Sequence, residues 1–272
     1  MIFVMALTML IACNDKKDDF VNQDSESNQD SQEGQEDAVL VGSVGLEYTL
    51  SGNKSYYIVA GIGTCTDTDI VIPSFYNGLP VKSIKSCAFY ECTNITSITI
   101  ANSVTDIANH AFYGCSALAT VRLPNNITSI AQSTFILCNS LTSIIIPDGV
   151  TRIGQGAFYG CSELTSVIIP NSVTRIDYQA FFKCSSLPSV IIPDNVTSID
   201  GFAFSECSSL TSVTISDSVK NIGMYAFYDS RSLTNIQYKG TIEQWNAISF
   251  GTGWNYNTLA TEVICSNGTV TL

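Results

Sequence analysis

The sequence predicts a mainly β solenoid of about eight stacked coils, and three observations support this fold class. The first is a strict 23-residue recurrence of core-type side chains. The second is an alternating apolar strand motif in every copy, and the third is a proline or turn-forming residue behind each strand. Because a fixed period of roughly 20 to 50 residues is the signature of stacked repeats, the recurrence alone favours a solenoid.

Four columns of side chains define the repeat. Phenylalanine stands at Phe89, Phe112, Phe135, Phe158, Phe181, Phe204 and Phe227. Isoleucine stands at Ile84, Ile107, Ile130, Ile153, Ile176, Ile199 and Ile222. Cysteine stands at Cys92, Cys115, Cys138, Cys161, Cys184 and Cys207. Leucine stands at Leu118, Leu141, Leu164, Leu187, Leu210 and Leu233. Each column is expected to stack inside the solenoid, one residue per coil.

Each repeat reads L-x-x-V-x-I-P, then a polar turn, then V-x-x-I, then A-F-x-x-C. The alternation in the first segment predicts a short strand with one buried face. Proline ends the strand because it cannot donate to a ladder, and the Asn or Asp behind it favours a turn. The V-x-x-I segment predicts a second short extended piece. Phe, Cys and Leu at spacings of three indicate a tight 3₁₀-like turn.

This repeat pattern resembles the leucine-rich repeats of the BspA-like bacterial surface-protein family. The resemblance covers about residues 70–238, in seven copies centred on phenylalanine. It implies a right-handed solenoid with a parallel sheet along its concave side. It also implies attachment to the cell surface and, for some members, binding to host matrix proteins.

Composition narrows the classes of function. The net charge is −12 and only 13% of residues are charged. With no basic stripe to neutralise phosphates, the sequence argues against a nucleic-acid partner. No window of 18 or more apolar residues is present, so the sequence predicts no transmembrane helix.

Residues 1–13 form a short apolar run that ends in Leu10-Ile11-Ala12-Cys13. This ending resembles the lipobox of a bacterial lipoprotein signal peptide, which implies that Cys13 carries the lipid. An ordinary signal peptide or a buried strand is the alternative interpretation. Several acyl chains on one cysteine would give stable membrane anchoring, whereas a single chain binds only marginally.

Residues 14–37 are predicted to be a disordered acidic tether. They hold nine acidic residues and two lysines, a charge of −7, with few large apolar side chains. Such a segment cannot bury enough surface to fold. Its start, residues 14–19, resembles the lysine-plus-acid export signal of outer-face lipoproteins, with a plain solvated linker as the alternative.

The array is expected to be closed by caps at both ends. Residues 38–69 predict an N-terminal cap, with a hairpin of residues 46–50 and 56–60. Residues 70–238 hold the solenoid, whose eight predicted strands would span about 34 Å at roughly 4.8 Å per step. Residues 239–272 break the period and predict a C-terminal cap in which Trp245 and Trp254 seal the last coil.

The cysteine column is the strongest candidate in the sequence for a metal or redox site. A linear column does not converge on one point, as a tetrahedral metal site requires, so no metal is predicted. Core packing of small apolar thiols is favoured, and disulfides between adjacent coils are the alternative, since export exposes thiols to oxidising conditions.

No catalytic constellation is apparent, and the chain is predicted not to be an enzyme and to need no cofactor. His110 is the one histidine and is expected at a variable surface position. A lone histidine with no nucleophile held against it does not make an active site. The Asn or Asp behind each strand is interpreted as a turn former rather than a calcium ligand.

Two columns flank the buried centre of each strand and are predicted to face outward on the concave side. The serine column is Ser97, Thr120, Ser143, Ser166, Ser189, Ser212 and Asn235. The isoleucine column is Thr99, Arg122, Ile145, Ile168, Ile191, Thr214 and Gln237, and these seven residues are the predicted partner-binding candidates. Three adjacent exposed isoleucines are typical of a contact patch, with strand propensity as the alternative explanation.

The sequence therefore predicts a recognition module, lipid-anchored at Cys13 on the bacterial outer membrane and exposed at the cell surface. Its expected partner is an extracellular or host protein bound on the concave face. The protein is expected to contact the membrane only through this lipid. A glycan-binding accessory lipoprotein and a periplasmic scaffold are the alternatives; the absence of aromatic residues from the two columns counts against the first.

Overall fold

The computed structural model describes residues 40–272, so the predicted signal segment with Cys13 and the whole of the predicted tether, residues 14–37, lie outside the described residues. The described chain is a β solenoid with one short helix, as the repeat predicted. An N-terminal hairpin opens it, formed by antiparallel pairing of β1 (Glu47–Leu50) with β2 (Tyr57–Gly61).

One long strand per coil builds the first side of the solenoid. These strands are β3 (Asp69–Ile72), β6 (Ser97–Ile100), β8 (Thr120–Arg122), β10 (Ser143–Ile145), β12 (Ser166–Ile168), β14 (Ser189–Ile191), β16 (Ser212–Ile215), β18 (Asn235–Tyr238) and β20 (Glu262–Cys265). Neighbours pair in parallel wherever a ladder is formed, and their outward side is called the strand face below.

A two-residue strand in each coil builds the second side. These strands are β7 (Asp106–Ile107), β9 (Ser129–Ile130), β11 (Arg152–Ile153), β13 (Arg175–Ile176), β15 (Ser198–Ile199), β17 (Asn221–Ile222) and β19 (Ser249–Phe250). From β9 to β19 they form one continuous parallel sheet. The predicted V-x-x-I segments are therefore extended, and each buries its isoleucine.

The insertion in the first coil is a small hairpin. β4 (Phe75–Tyr76) pairs antiparallel with β5 (Leu79–Ile84) across Asn77 and Gly78. β5 then runs parallel to β2 and to β7 and joins the N-terminal hairpin to the array.

The strand-face sheet consists of three ladders, β3-β6-β8, β10-β12 and β14-β16-β18-β20. The interruption between β12 and β14 is explained by a missing hydrogen-bond donor. In neighbouring coils the threonine before the strand donates its N–H to the previous coil, as Thr165 does to the Thr142 carbonyl at 2.9 Å. Pro188 occupies that position before β14 and has no N–H to donate to Thr165, so the ladder breaks there.

Stacked phenylalanine rings fill the centre of the solenoid. All seven column members are fully buried. Successive ring centroids lie 5.1 to 5.6 Å apart with interplanar angles of 5° to 21°. The backbone fixes this spacing, because each phenylalanine N–H donates to a carbonyl of the following coil, as Phe158 does to Ala180 at 2.8 Å.

The C-terminal region differs from the prediction of a cap behind eight strands. β19 and β20 lie within residues 239–272, so an irregular ninth coil continues both sheets. The 23-residue period does not reveal this coil, because Gln237 pairs with Ile264, which lies four residues further along the chain than the regular spacing requires. The helix α1 (Ile242–Asn246), with a capping box at Thr241 and Gln244, occupies the extra length.

Two elements seal the last coil. Trp245 is buried against Trp254, with ring centroids 5.7 Å apart, and Trp254 meets Phe227 edge-on at 6.2 Å. β21 (Gly268–Thr271) folds back antiparallel on β20 and ends the strand-face sheet. The tryptophans therefore close the end of the phenylalanine column, as the sequence indicated.

Candidate interaction surface

The strand face is built by the pleat of the long strands. In a strand successive side chains point to opposite sides, so a buried central residue leaves its two neighbours outside. Ile144 and Val190 are buried at the centres of β10 and β14. The serine and isoleucine columns flank these centres and run across the coils in register, with Ser143 opposite Ser166 and Ile145 opposite Ile168.

The three central members of the isoleucine column are the most exposed large aliphatic side chains of the regular repeats, residues 70–238. Ile145 is 70% exposed, Ile168 59% and Ile191 65%. Ile145 and Ile168 are paired cross-strand neighbours, and Ile191 lies in the next coil, across the ladder break at Pro188. These three residues are called the isoleucine patch below. Contiguous exposed apolar surface with a polar border is a feature of interaction sites.

The remaining predicted members continue the column on both sides of the patch. Arg122 and Gln237 are exposed, whereas Thr99 and Thr214 are half-buried. The structure adds two members that the repeat frame had not included, Val71 opposite Thr99 and Ile264 opposite Gln237. Ile264 belongs to the irregular ninth coil, which is why a fixed spacing of 23 residues did not find it.

The strand face is almost uncharged. Among the fourteen residues of the serine and isoleucine columns, Arg122 alone carries a charge. The face is bordered by an acid at its N-terminal end, where Asp69 accepts hydrogen bonds from Ser97 Oγ at 2.7 Å and Thr96 Oγ1 at 2.9 Å. These two hydrogen bonds lower the pKa of the Asp69 carboxyl. The face therefore presents hydroxyl groups and aliphatic surface rather than an electrostatic field.

The residue that follows each core phenylalanine is aromatic in most coils, and these residues form a second aromatic column. The rings of this column are packed rather than open. Tyr90 stacks on Tyr113 and Tyr159 on Phe182, with ring centroids 4.8 Å apart in both pairs. Each of these rings covers a face of its neighbour, which leaves little open surface for a flat ligand. This arrangement indicates that the aromatic column has a packing role.

A shallow groove of about 500 Å³ runs along another edge of the array and was not predicted. Its lining includes Leu137 at one end, three serines, and the charged side chains of Lys183, Glu206, Asp229 and Arg231. The charges pair with each other, Lys183 with Glu206 at 3.4 Å and Arg231 with Asp229 at 2.8 Å. The groove thus has no unbalanced charge that would select a ligand.

The cysteine column lies in the core and takes part in hydrogen bonding. Cys115, Cys138, Cys161, Cys184 and Cys207 are fully buried free thiols, whereas Cys92 in the first coil is half-buried. Each buried thiol donates to the phenylalanine carbonyl of the preceding coil, as Cys161 does to Phe135 at 3.2 Å. Burial raises the pKa of these thiols, to about 12 for Cys207, so they stay protonated and unreactive.

His110 differs from the surface position that the sequence predicted. It is half-buried, its backbone is left-handed with a φ of 61°, and its Nε2 is buried without a hydrogen-bond partner. Burial lowers the pKa of its imidazole. The left-handed turn directs the side chain inward toward the Tyr113 ring, with centroids 6.3 Å apart.

Residues 40–272 contain neither a metal-binding cluster nor a membrane-spanning helix. No group of three or more His, Cys, Asp or Glu side chains in that range is placed to hold a metal ion. None of the helices there has the length and apolarity to cross a bilayer.

Comparison with known families now identifies the repeat. The model of the BspA-type leucine-rich repeat region, with six copies, matches residues 64–188 and 174–263. These matches span well over half of the chain. The chain belongs to the BspA-type leucine-rich repeat family. The resemblance drawn from the repeat pattern is thereby confirmed, and leucine-rich repeats are modules that typically recognise other proteins.

Solved structures agree with this assignment. A leucine-rich repeat protein of T. pallidum is 27% identical, with a TM-score of 0.52, over 79% of this chain and 88% of that one. One from Bacteroides ovatus is 24% identical, with a TM-score of 0.54, over 85% and 72%. The pneumococcal vaccine antigen PcpA is 17% identical, with a TM-score of 0.57, over 83% and 69%, and shares the fold. Comparison with curated proteins returns no match.

Proposed function

We propose that this leucine-rich repeat protein is a non-enzymatic recognition module that binds a protein partner on its strand face, through the isoleucine patch. The observation that carries the proposal is the exposure of Ile145, Ile168 and Ile191 in successive coils, while the core columns of the same coils are buried. Burying one aliphatic side chain contributes about 1.5–3 kcal/mol. Three such contacts are enough to offset part of the cost of association.

The chemistry of the face defines the partner. A nearly uncharged surface gives little electrostatic steering, so recognition depends on shape and apolar contact. A partner that fits presents an uncharged ridge, with apolar side chains at its centre and polar groups toward the serine column. Binding is therefore expected to change little with ionic strength.

The cellular setting of the proposal comes from residues 1–37. We infer that Cys13 is lipidated, that residues 14–37 tether the solenoid, and that the partner is an extracellular or host protein met at the bacterial surface. The lipobox-like sequence and the acidic segment support this inference. Replacing Cys13 by alanine is expected to abolish incorporation of labelled palmitate and release the protein from the membrane fraction. Protease added to intact cells tests surface display, since only an outward-facing solenoid is digested.

The binding experiment compares matched variants on an array of host matrix proteins, bacterial surface proteins and glycans. Ile168→Lys places a charge in the centre of the patch. Thr174→Lys adds the same charge to an exposed residue on the second side of the same coil, beside β13. Circular dichroism first verifies that both variants are folded.

Saturable protein binding that Ile168→Lys reduces at least ten-fold, and Thr174→Lys leaves unchanged, supports the proposal. Protein binding that both variants retain contradicts the assignment of the patch. Binding to glycans alone replaces the protein partner by the glycan alternative. Absence of binding to every protein on the array favours a scaffold role in the periplasm.

A further inference from the structure

The ends of the sheets differ in how their open edges are protected. An edge strand presents unpaired N–H and C=O groups, and proteins block such edges with charges, bulges, prolines or covering segments. At the N-terminal end of the strand-face sheet, Ser43 blocks β3: its N–H donates to the Val71 carbonyl at 3.0 Å and its Oγ accepts from the Val71 N–H at 3.0 Å. The other N-terminal edge, β1, carries the charge of Glu47 and a bulge between Glu47 and Tyr48.

The C-terminal edge, β21, carries no charge, proline or bulge, and helix α1 packs beside its first residue, Gly268. Its sequence, Gly268 to Thr271, contains no charge and no proline, and its pairing with β20 runs in regular register. It is the last strand of the strand-face sheet among residues 40–272. Three of its four residues are exposed.

The register of the hairpin shows which backbone groups are open. In an antiparallel pair, hydrogen-bonded and non-hydrogen-bonded residue pairs alternate. The Leu272 N–H donates to the Thr261 carbonyl at 2.9 Å, which makes that pair hydrogen-bonded. Val270, opposite Val263, is then bonded to β20 as well. Thr269 and Thr271 consequently direct their N–H and C=O groups away from β20, toward the open edge.

We propose that two copies of the chain associate by antiparallel pairing of their β21 strands about a two-fold axis at Val270. Thr269 of one copy then lies opposite Thr271 of the other, and the two equivalent pairs exchange four backbone hydrogen bonds. Such an interface is self-complementary, as a two-fold dimer requires. Threonine opposite threonine is a favourable cross-strand pair.

Charge does not oppose this pairing. Glu262 lies opposite Thr271 on β20, and Glu243 accepts a hydrogen bond from Asn267 Nδ2 at 3.3 Å beside the turn before Gly268. The antiparallel arrangement places the turns of the two copies at opposite ends of the paired strands. In the paired sheet the two Glu262 side chains are at least three strand spacings apart, about 14 Å. That separation exceeds the Debye length of about 8 Å at physiological salt, so their repulsion is largely screened.

The dimer has a consequence for the strand face. Ile264 and Thr269 are opposite each other and point to the same side of the sheet. Pairing of two β21 strands therefore joins both strand faces into one continuous sheet that carries two isoleucine patches. A strand of four residues buries little area, so the dimer is weak and concentration-dependent, in the class of transient interfaces below about 1,000 Å².

Sedimentation equilibrium of the full chain over a wide concentration range tests the proposal with three variants. Thr271→Pro removes an outward N–H, and proline is tolerated on an edge strand when its N–H faces solvent. Thr271→Ser is the matched control, because it keeps that N–H. Ile168→Lys reports on association through the isoleucine patch instead.

The expected result is reversible dimerisation of the wild type and of Thr271→Ser and Ile168→Lys, weakened at least ten-fold in Thr271→Pro. Amide hydrogen exchange supplies a second readout, because the Thr269 and Thr271 amides should become protected as the concentration rises. The proposal is overturned by a wild type that stays monomeric over the whole range. It is equally overturned by a dimer that Thr271→Pro retains or that Ile168→Lys abolishes.

Discussion

At the scale of single residues, a hydrogen bond as well as side-chain volume determines which residue types fit the cysteine column. Each buried thiol donates to a phenylalanine carbonyl one coil earlier, at 3.1 to 3.3 Å. In the coil after Cys207 the position is taken by Ser230, which is also buried and donates to the Phe204 carbonyl at 2.9 Å. The column therefore accepts a small side chain with a donor.

This leads to a prediction at Cys161. Cys161→Ser keeps a donor for the Phe135 carbonyl and is expected to change the free energy of unfolding by less than about 1 kcal/mol. Cys161→Val removes the donor and adds a branched side chain to a packed core, with an expected loss of about 1–3 kcal/mol. Urea unfolding of both variants makes the comparison. A valine variant more stable than the serine variant would show that volume alone governs the column.

His110 gives the protein a specific response to acid. Because burial lowers the pKa of its imidazole, the folded state binds this proton less readily than the unfolded state. Its contribution to stability is present above the unfolded pKa of about 6.5 and is lost as the pH falls through the lower folded pKa. His110→Asn, which tolerates the left-handed backbone, should remove this dependence. Urea unfolding near neutral and near acidic pH should show a larger loss for the wild type, and equal losses would refute the assignment.

Residue-scale detail was also where the sequence revealed least. Each coil contains two left-handed positions, exemplified by Gln179 and Lys183, with φ of 58° and 59°. Glycine fills these positions only occasionally, as at Gly156 and Gly160, so composition gave no signal for them. Their strain is offset by backbone bonds to the next coil, Gln179 to Gly201 at 3.1 Å and Lys183 to Ser205 at 3.0 Å. The same geometry makes His110 half-buried rather than exposed.

At the scale of elements, the second side of the solenoid is reinforced by a ladder of ion pairs. The Asp177 side chain is 3% exposed and lies 2.5 Å from Arg152 Nη2 and 2.9 Å from Arg175 Nε. Arg175 also reaches Asp200 at 2.6 Å, so the two arginines connect β11, β13 and the following coil. Asp177 Oδ1 lacks a well-aligned hydrogen bond, and its contact with Arg175 is an ion pair only.

Removal of the buried carboxylate is expected to be costly. Asp177→Ala loses hydrogen bonds to a charged group, about 1.5–3 kcal/mol of unfolding free energy. The matched control is Asp194→Ala, which breaks the pair of Asp194 with Lys239 at the exposed edge. Exposed pairs contribute about 0–1 kcal/mol, so the control should lose little. Chemical denaturation of both variants measures the two losses of unfolding free energy. Equal losses would mean that burial of Asp177 adds nothing to the stability of the ladder.

Element-scale features divide into those that the sequence encodes and those that only the fold reveals. The strand motif and the proline behind it predict the long strands, because period-two alternation and a missing donor act locally. The break at Pro188 depends on its position opposite Thr165, 23 residues earlier, and emerges only once the coils are stacked. The ninth coil was missed because α1 and its connections lengthen the spacing between β18 and β20.

At the scale of the whole molecule, identical coil spacing converts sequence columns into surfaces. The core columns were predictable because a residue that recurs every 23 positions must stack on itself. The isoleucine patch was predictable as a location for the same reason, and its exposure follows from the pleat. The open edge at β21 could not be predicted from the repeat, because it lies beyond the last periodic residue.

We propose that the isoleucine patch is the surface that a protein partner covers. The most direct measurement is side-chain footprinting of the full chain with and without a bound partner. The proposed interface predicts reduced labelling of Ile145, Ile168 and Ile191. Labelling of Tyr256 and Leu259, which are equally exposed but lie outside the strand face, should stay unchanged. Undiminished labelling of the three isoleucines at saturating partner, together with protection elsewhere on the solenoid, would contradict it.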